Sequence, residues 1–81
     1  MREWYELWDV DSGNMIGTFE TERDALVEVR GLLEVNGPEY AVDLSLALRR
    51  EDGGESIADG MALAHRAQTV VAPGDSSRRQ A

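Results

Sequence analysis

Residues 9–20, "DVDSGNMIGTFE", decide how the chain is read. Acids stand at the first, third and last places, as in a calcium loop. Asp11 suits the third position of such a loop, Ile16 the apolar eighth and Glu20 the twelfth. The centre does not fit: the fifth position is Gly13, which has no side-chain ligand, and the sixth is Asn14 where glycine is needed. The flank is also wrong, because "EWYELWDV" (residues 3–10) is aromatic and β-favouring where an EF-hand requires a helix. The stretch reads instead as a β-hairpin: "DSGN" turns the chain, with Gly13 or Asn14 able to take a left-handed conformation, and "MIGTF" returns as a strand. Its register stays open. A two-residue loop puts Trp4, Trp8, Val10, Met15 and Phe19 on one face; a three-residue loop with a bulge groups Tyr5, Leu7, Met15 and Phe19.

Downstream, "TERDALVEVRGLLEVNGPEY" (residues 21–40) carries a helix from about residue 22 to 35. Thr21 is its N-cap, with Asp24 three residues on and Glu22 in the first turn, where the helix dipole favours negative charge. Ala25, Leu26, Val29, Leu32 and Leu33 form one apolar stripe, and Asn36-Gly37-Pro38 stops the helix. In "YAVDLSLALRR" (residues 40–50), Tyr40, Val42, Leu44, Leu46 and Leu48 alternate with smaller or polar residues, which predicts a half-buried strand. "EDGGE" turns, "SIAD" reads as a short returning strand, and a short helix follows with Asp59 as N-cap. The competing parse begins that helix at Ser56, at a cost of ~1 kcal/mol for placing Gly60 inside it.

One domain over residues 1–72 is expected, with a small, polar, disordered tail at 73–81. The fold class is α+β: a two-layer ββαββ(α) domain, a mainly antiparallel four-stranded sheet with one long helix packed on one face. At 81 residues without cysteine, neither disulfides nor thiolate sites exist. No apolar run approaches the roughly 20 residues of a membrane span, and no signal-peptide pattern opens the chain, so a cytoplasmic protein is expected.

The charge is strongly acidic, 16 acids against 8 arginines, and residues 1–72 alone carry a formal charge of −9. Such a body repels phosphate backbones and favours basic partners. His65 is the one histidine and has no local partner for metal binding or base catalysis. The acids are scattered, and "DGG" lacks the lysine of a phosphate loop. No enzyme, cofactor or metal is expected. The first strand holds the most informative residues, Trp4, Tyr5 and Trp8 interleaved with Glu6 and Asp9. Aromatics beside acids suit a protein contact, and strict alternation keeps both sets from facing one helix. These five residues are the expected interaction site.

Residues 7–37, "LWDVDSGNMIGTFETERDALVEVRGLLEVNG", resemble a group of small acidic bacterial proteins of unknown function. They are also similar to the HicB-type antitoxin domain, in which strands lead through "G-x-x-T-x-x-E-A-L" into a helix; Gly17, Thr21, Asp24, Ala25 and Leu26 follow that spacing approximately. The "P-x-x-P-G-C"-like stretch and separate DNA-binding segment of that family are absent here. The resemblance implies an antitoxin- or inhibitor-like protein that neutralises a basic partner. A self-associating, homodimeric structural domain is the alternative.

Overall fold

Residues 2–70 are described by the structure, a computed structural model. Strand β1 (Glu3–Asp9) pairs antiparallel with β2 (Asn14–Phe19) across a turn of residues 10–13. Asp9 Oδ1 accepts from the Ser12 N–H at 3.1 Å, and Gly13 N–H donates to the Asp9 carbonyl at 2.9 Å. Gly13 has φ of +76°, which glycine adopts without a Cβ clash. The opening stretch is thus a hairpin with strands on both sides.

Neither expected register occurs. Leu7 lies opposite Gly17 and Trp8 opposite Met15, so Ile16 is the extra residue of a bulge. The bulge resets the alternation of β2. Ile16 and Phe19 pack towards the core with Tyr5 and Leu7, while Met15, grouped with Phe19 on either loop length, is 46% exposed and stands opposite Trp8.

Helix α1 (Glu22–Asn36) begins where its cap was expected: Thr21 Oγ1 accepts the Asp24 N–H at 3.0 Å. It ends at Gly37, whose φ of +96° lets its N–H reach the Leu33 carbonyl at 2.9 Å. The expected strand start at Tyr40 is corrected here. Residues Pro38–Asp43 form a 3-10 helix, and strand β3 spans only Leu44–Arg50. Proline supplies a preset φ at its start. The operative period is then three rather than two, so Ala41 and Leu44 are buried whereas Val42 is 61% exposed.

Strand β4 (Gly53–Asp59) pairs with β3, and helix α2 (Gly60–Gln68) follows directly. Residues 56–59 are therefore strand rather than helix. Asp59 occupies the N-cap position, without a side-chain cap bond.

The molecule is α+β, with one antiparallel sheet in the order β2-β1-β3-β4. The expectation of a single long helix over the sheet falls short, because α1, the 3-10 helix and α2 together build the second layer. One stripe on α1 cannot cover four strands. Leu7, Leu44 and Leu46 from the sheet meet Ala25, Leu26 and Val29 of α1 and Leu63 and Ala67 of α2. Fully burying a leucine of this kind is worth about 1.5–3 kcal/mol. Leu32 and Leu33, the far end of the α1 stripe, are only partly buried against this core.

Arg66 Nη1 joins the two helices through Glu22 at 2.6 Å, and Arg30 donates to the Val70 carbonyl. No helix of the described residues is long and apolar enough to cross a membrane. The tail expected from Pro73 lies outside the described residues.

Candidate functional site: the open face of the sheet

Both helices and the 3-10 segment lie on one side of the sheet, so among the described residues its other face has no covering element. The two-residue period of β1 sends Tyr5 and Leu7 inward and Trp4, Glu6 and Trp8 outward. Antiparallel pairing then sets their neighbours. Trp4 stands opposite Arg49, Glu6 between Ala47 and Thr18, and Trp8 between Ser45 and Met15.

The small residues flanking Glu6 leave room for the two indoles to converge on it. Trp4 Nε1 donates to Glu6 Oε2 at 3.1 Å, and Trp8 Nε1 donates to Glu6 Oε1 at 3.2 Å. Arg49 Nε adds a long ion pair to Oε1 at 3.9 Å. The carboxylate is a shared acceptor with one indole on each oxygen, and its side chain is only 18% exposed. An indole N–H that is partly desolvated needs such an acceptor. The consequence is a pair of indoles fixed on either side of Glu6 on this face. Because both oxygens are engaged, Glu6 is poorly placed to act as a general base.

The other two residues of the expected site lie elsewhere. Tyr5 packs against the core on the inner face. Asp9 closes the hairpin: besides Ser12, it accepts the Tyr40 hydroxyl through Oδ2 at 2.9 Å. The Ser12 N–H, and after it the Tyr40 hydroxyl, hold the Asp9 carboxyl below the ordinary carboxylate range, and the same bond to Asp9 raises the Tyr40 phenol. Asp9 is thus a strut joining the hairpin to the 3-10 helix. The five residues divide into an outer triad of Trp4, Glu6 and Trp8 and two structural side chains.

Sequence reasoning missed Arg49, because its side of the sheet depends on the pairing of β1 with β3. Met15 shares the face of Trp4 and Trp8, as one of the two expected registers had it, but the bulge sends Phe19 to the other side. The alternation of β1 groups Trp4, Glu6 and Trp8 apart from Tyr5 and Asp9, but it leaves open which group faces outward.

His65 lies exposed on α2. No three His, Cys, Asp or Glu side chains among the described residues come together in a way that would hold a metal ion. An open depression of about 800 Å3 borders Trp4, lined by Arg2, Thr18 and Glu20 among others, and one of about 240 Å3 lies between α1 and α2 beside Leu33, Pro38, Met61 and Ala64. The chain matches no protein-family model, no curated protein sequence and no solved structure.

Proposed function

We propose that this is a small non-enzymatic interaction module of the cytoplasm, antitoxin- or inhibitor-like, whose open sheet face binds a basic protein. One observation carries the reading: two tryptophans flanking Glu6 and each hydrogen-bonded to it, on a sheet face that no described element covers. Tryptophan is the residue most suited to anchor an interface, and restraining it beforehand lowers the ordering cost of binding. Glu6 is locally compensated, so attraction of a basic partner comes from the field of the whole acidic body, and the indoles supply the contact.

Trp4 and Trp8 are the only tryptophans in the chain, which makes them reporters of their own face. The test is affinity capture from native lysate, followed by acrylamide quenching of the purified complex. The expected result is a partner that protects the indoles, is released near 1 M salt, where the Debye length is about 3 Å, and is not retained by the Trp4→Ala/Trp8→Ala variant. Indoles as accessible in the complex as in the free protein would refute the reading.

Self-association is the second reading, favoured by the compensated charge on this same face. A second copy can pack there without placing free carboxylates against each other. Light scattering across a dilution series separates the two, since a homodimer gives twice the monomer mass with no partner added.

A further inference from the structure

We infer that the groove between α1 and α2 is the docking site of this chain's own residues 71–73, Val71, Ala72 and Pro73, which fold back along α2 and cover it. The inference goes beyond the interaction reading and concerns the other side of the molecule, because the helical layer lies across the sheet from Trp4 and Trp8.

The groove follows from the side chains that the two helices turn towards each other. On α2, Met61, Ala64 and Ala67 recur every three residues and share one stripe. Ala64 and Ala67 are buried and too short to fill the space towards α1. On α1, Leu33 faces the same space and is only partly buried. Exposed Met61 and Pro38 stand at the groove's edge. Its volume of about 240 Å3 is below the roughly 300 Å3 at which small-molecule sites begin. A few small apolar side chains suit it better than a separate ligand.

The chain itself arrives at this groove. Gln68, the last residue of α2, lines it, and the Val70 N–H then turns back to the Ala67 carbonyl at 3.2 Å. Arg30 Nη1 donates to the Val70 carbonyl, and Arg30 is itself a lining residue. The carbon of that carbonyl is bonded to the nitrogen of Val71, so residue 71 starts at the groove wall. From Gln68 back to Met61 is about 10 Å of helix. Three extended residues also span about 10 Å.

The composition of the segment fits the place. Val71, Ala72 and Pro73 are small and apolar. Ala and Pro lose almost no side-chain entropy on burial, and Pro brings no N–H that would need a partner. Charge is complementary as well. Arg78 and Arg79 follow with Asp75 as the one acid of residues 73–81, while Glu34 lines the groove with its side chain 71% exposed and Glu39 follows Pro38. Such exposed pairs are weak singly, but the covalent tether holds the segment near the groove at roughly millimolar effective concentration. That advantage favours the chain's own residues over a second copy or a foreign peptide.

Two native methionines report the outcome. Met61 is 65% exposed when the described residues alone are counted, against 46% for Met15 on the sheet face. An uncovered Met61 is therefore expected to be oxidised by dilute hydrogen peroxide at least as fast as Met15. With residues 71–73 in the groove the order inverts, and Met61 in the full chain is expected to react at least about threefold more slowly than Met15. Mass spectrometry of peptides taken over time reads both rates. The full-length variant Val71→Ser/Pro73→Ser keeps the charge and leaves every described residue as it is. It is expected to restore fast oxidation of Met61 without changing Met15, and circular dichroism verifies its fold. Contact is read directly in the wild type as nuclear Overhauser effects between the Val71 methyls and the Met61 methyl.

Four results would overturn the inference. Met61 could react as fast as Met15 in the wild type, its protection could survive in Val71→Ser/Pro73→Ser, or the Val71–Met61 effects could be absent. Protection that grows with protein concentration would assign the groove to a second copy and overturn it as well. None of these decides the sheet-face reading, which stands or falls on indole protection in the native complex.

Discussion

The two faces of β1 are built from one alternating segment yet do different work. Inside, Leu7 is fully buried among leucines of β3 and the helical layer, where any loss of volume is felt directly. Outside, Trp4 and Trp8 lie half-buried without a covering layer, satisfied by one glutamate. In many small domains the largest aromatics fill the core. Here the core is aliphatic, and the indoles are left on the surface. That difference is what turns the outer face into a candidate site.

The largest expected effect comes from breaking the inner face. Leu7→Ala should cost about 2–5 kcal/mol, read as a fall in denaturation midpoint, and in a domain this small that approaches the whole stability. A loss below about 1 kcal/mol would contradict the burial assignment.

Next comes the turn that joins β1 to β2. Gly13→Ala places a Cβ at φ of +76°, for an expected loss of about 1–2 kcal/mol. Asn, which tolerates that conformation better, should recover part of it.

The strut beneath the hairpin gives a smaller effect with a pH signature. Tyr40→Phe removes the bond to Asp9 and should cost about 0.5–1.5 kcal/mol near neutrality. Asp9 has a lowered folded pKa, so its contribution is present above the unfolded value of about 4 and fades as pH falls through the folded one. Tyr40 has a raised folded pKa, so its contribution is full below about 10 and fades as pH rises through the folded value. The wild-type advantage over Tyr40→Phe should therefore vanish at both extremes. Equal loss at every pH would mean that the bond does not form.

The smallest effect on stability belongs to the outer face. Trp8→Ala forfeits a cross-strand pair with Met15 and should cost about 1 kcal/mol or less, while abolishing partner retention. If Trp8→Ala unfolded the domain as Leu7→Ala does, the contrast between the two faces would collapse.

Much of this was legible from local chemistry. Thr21 and Gly37 bracket a helix because they satisfy or stop its unpaired backbone groups, and the stripe from Ala25 to Leu33 names its buried side. The alternation of β1 separates Trp4, Glu6 and Trp8 from Tyr5, Leu7 and Asp9, and "DSGN" turns the chain whatever it later packs against. These features depend on a few neighbouring residues.

Tertiary structure decided the rest, because the deciding contacts are distant in sequence. Which face of β1 is inside follows from β3 and the helices closing over Leu7, and the bulge at Ile16 exists because β2 must keep Ile16 and Phe19 on that side. An apparent alternation at residues 40–43 became a 3-10 helix once Ala41 was drawn into the core. Arg49 joined Glu6 only through strand pairing. Local periodicity determines which side chains travel together. Long-range burial determines where they end up.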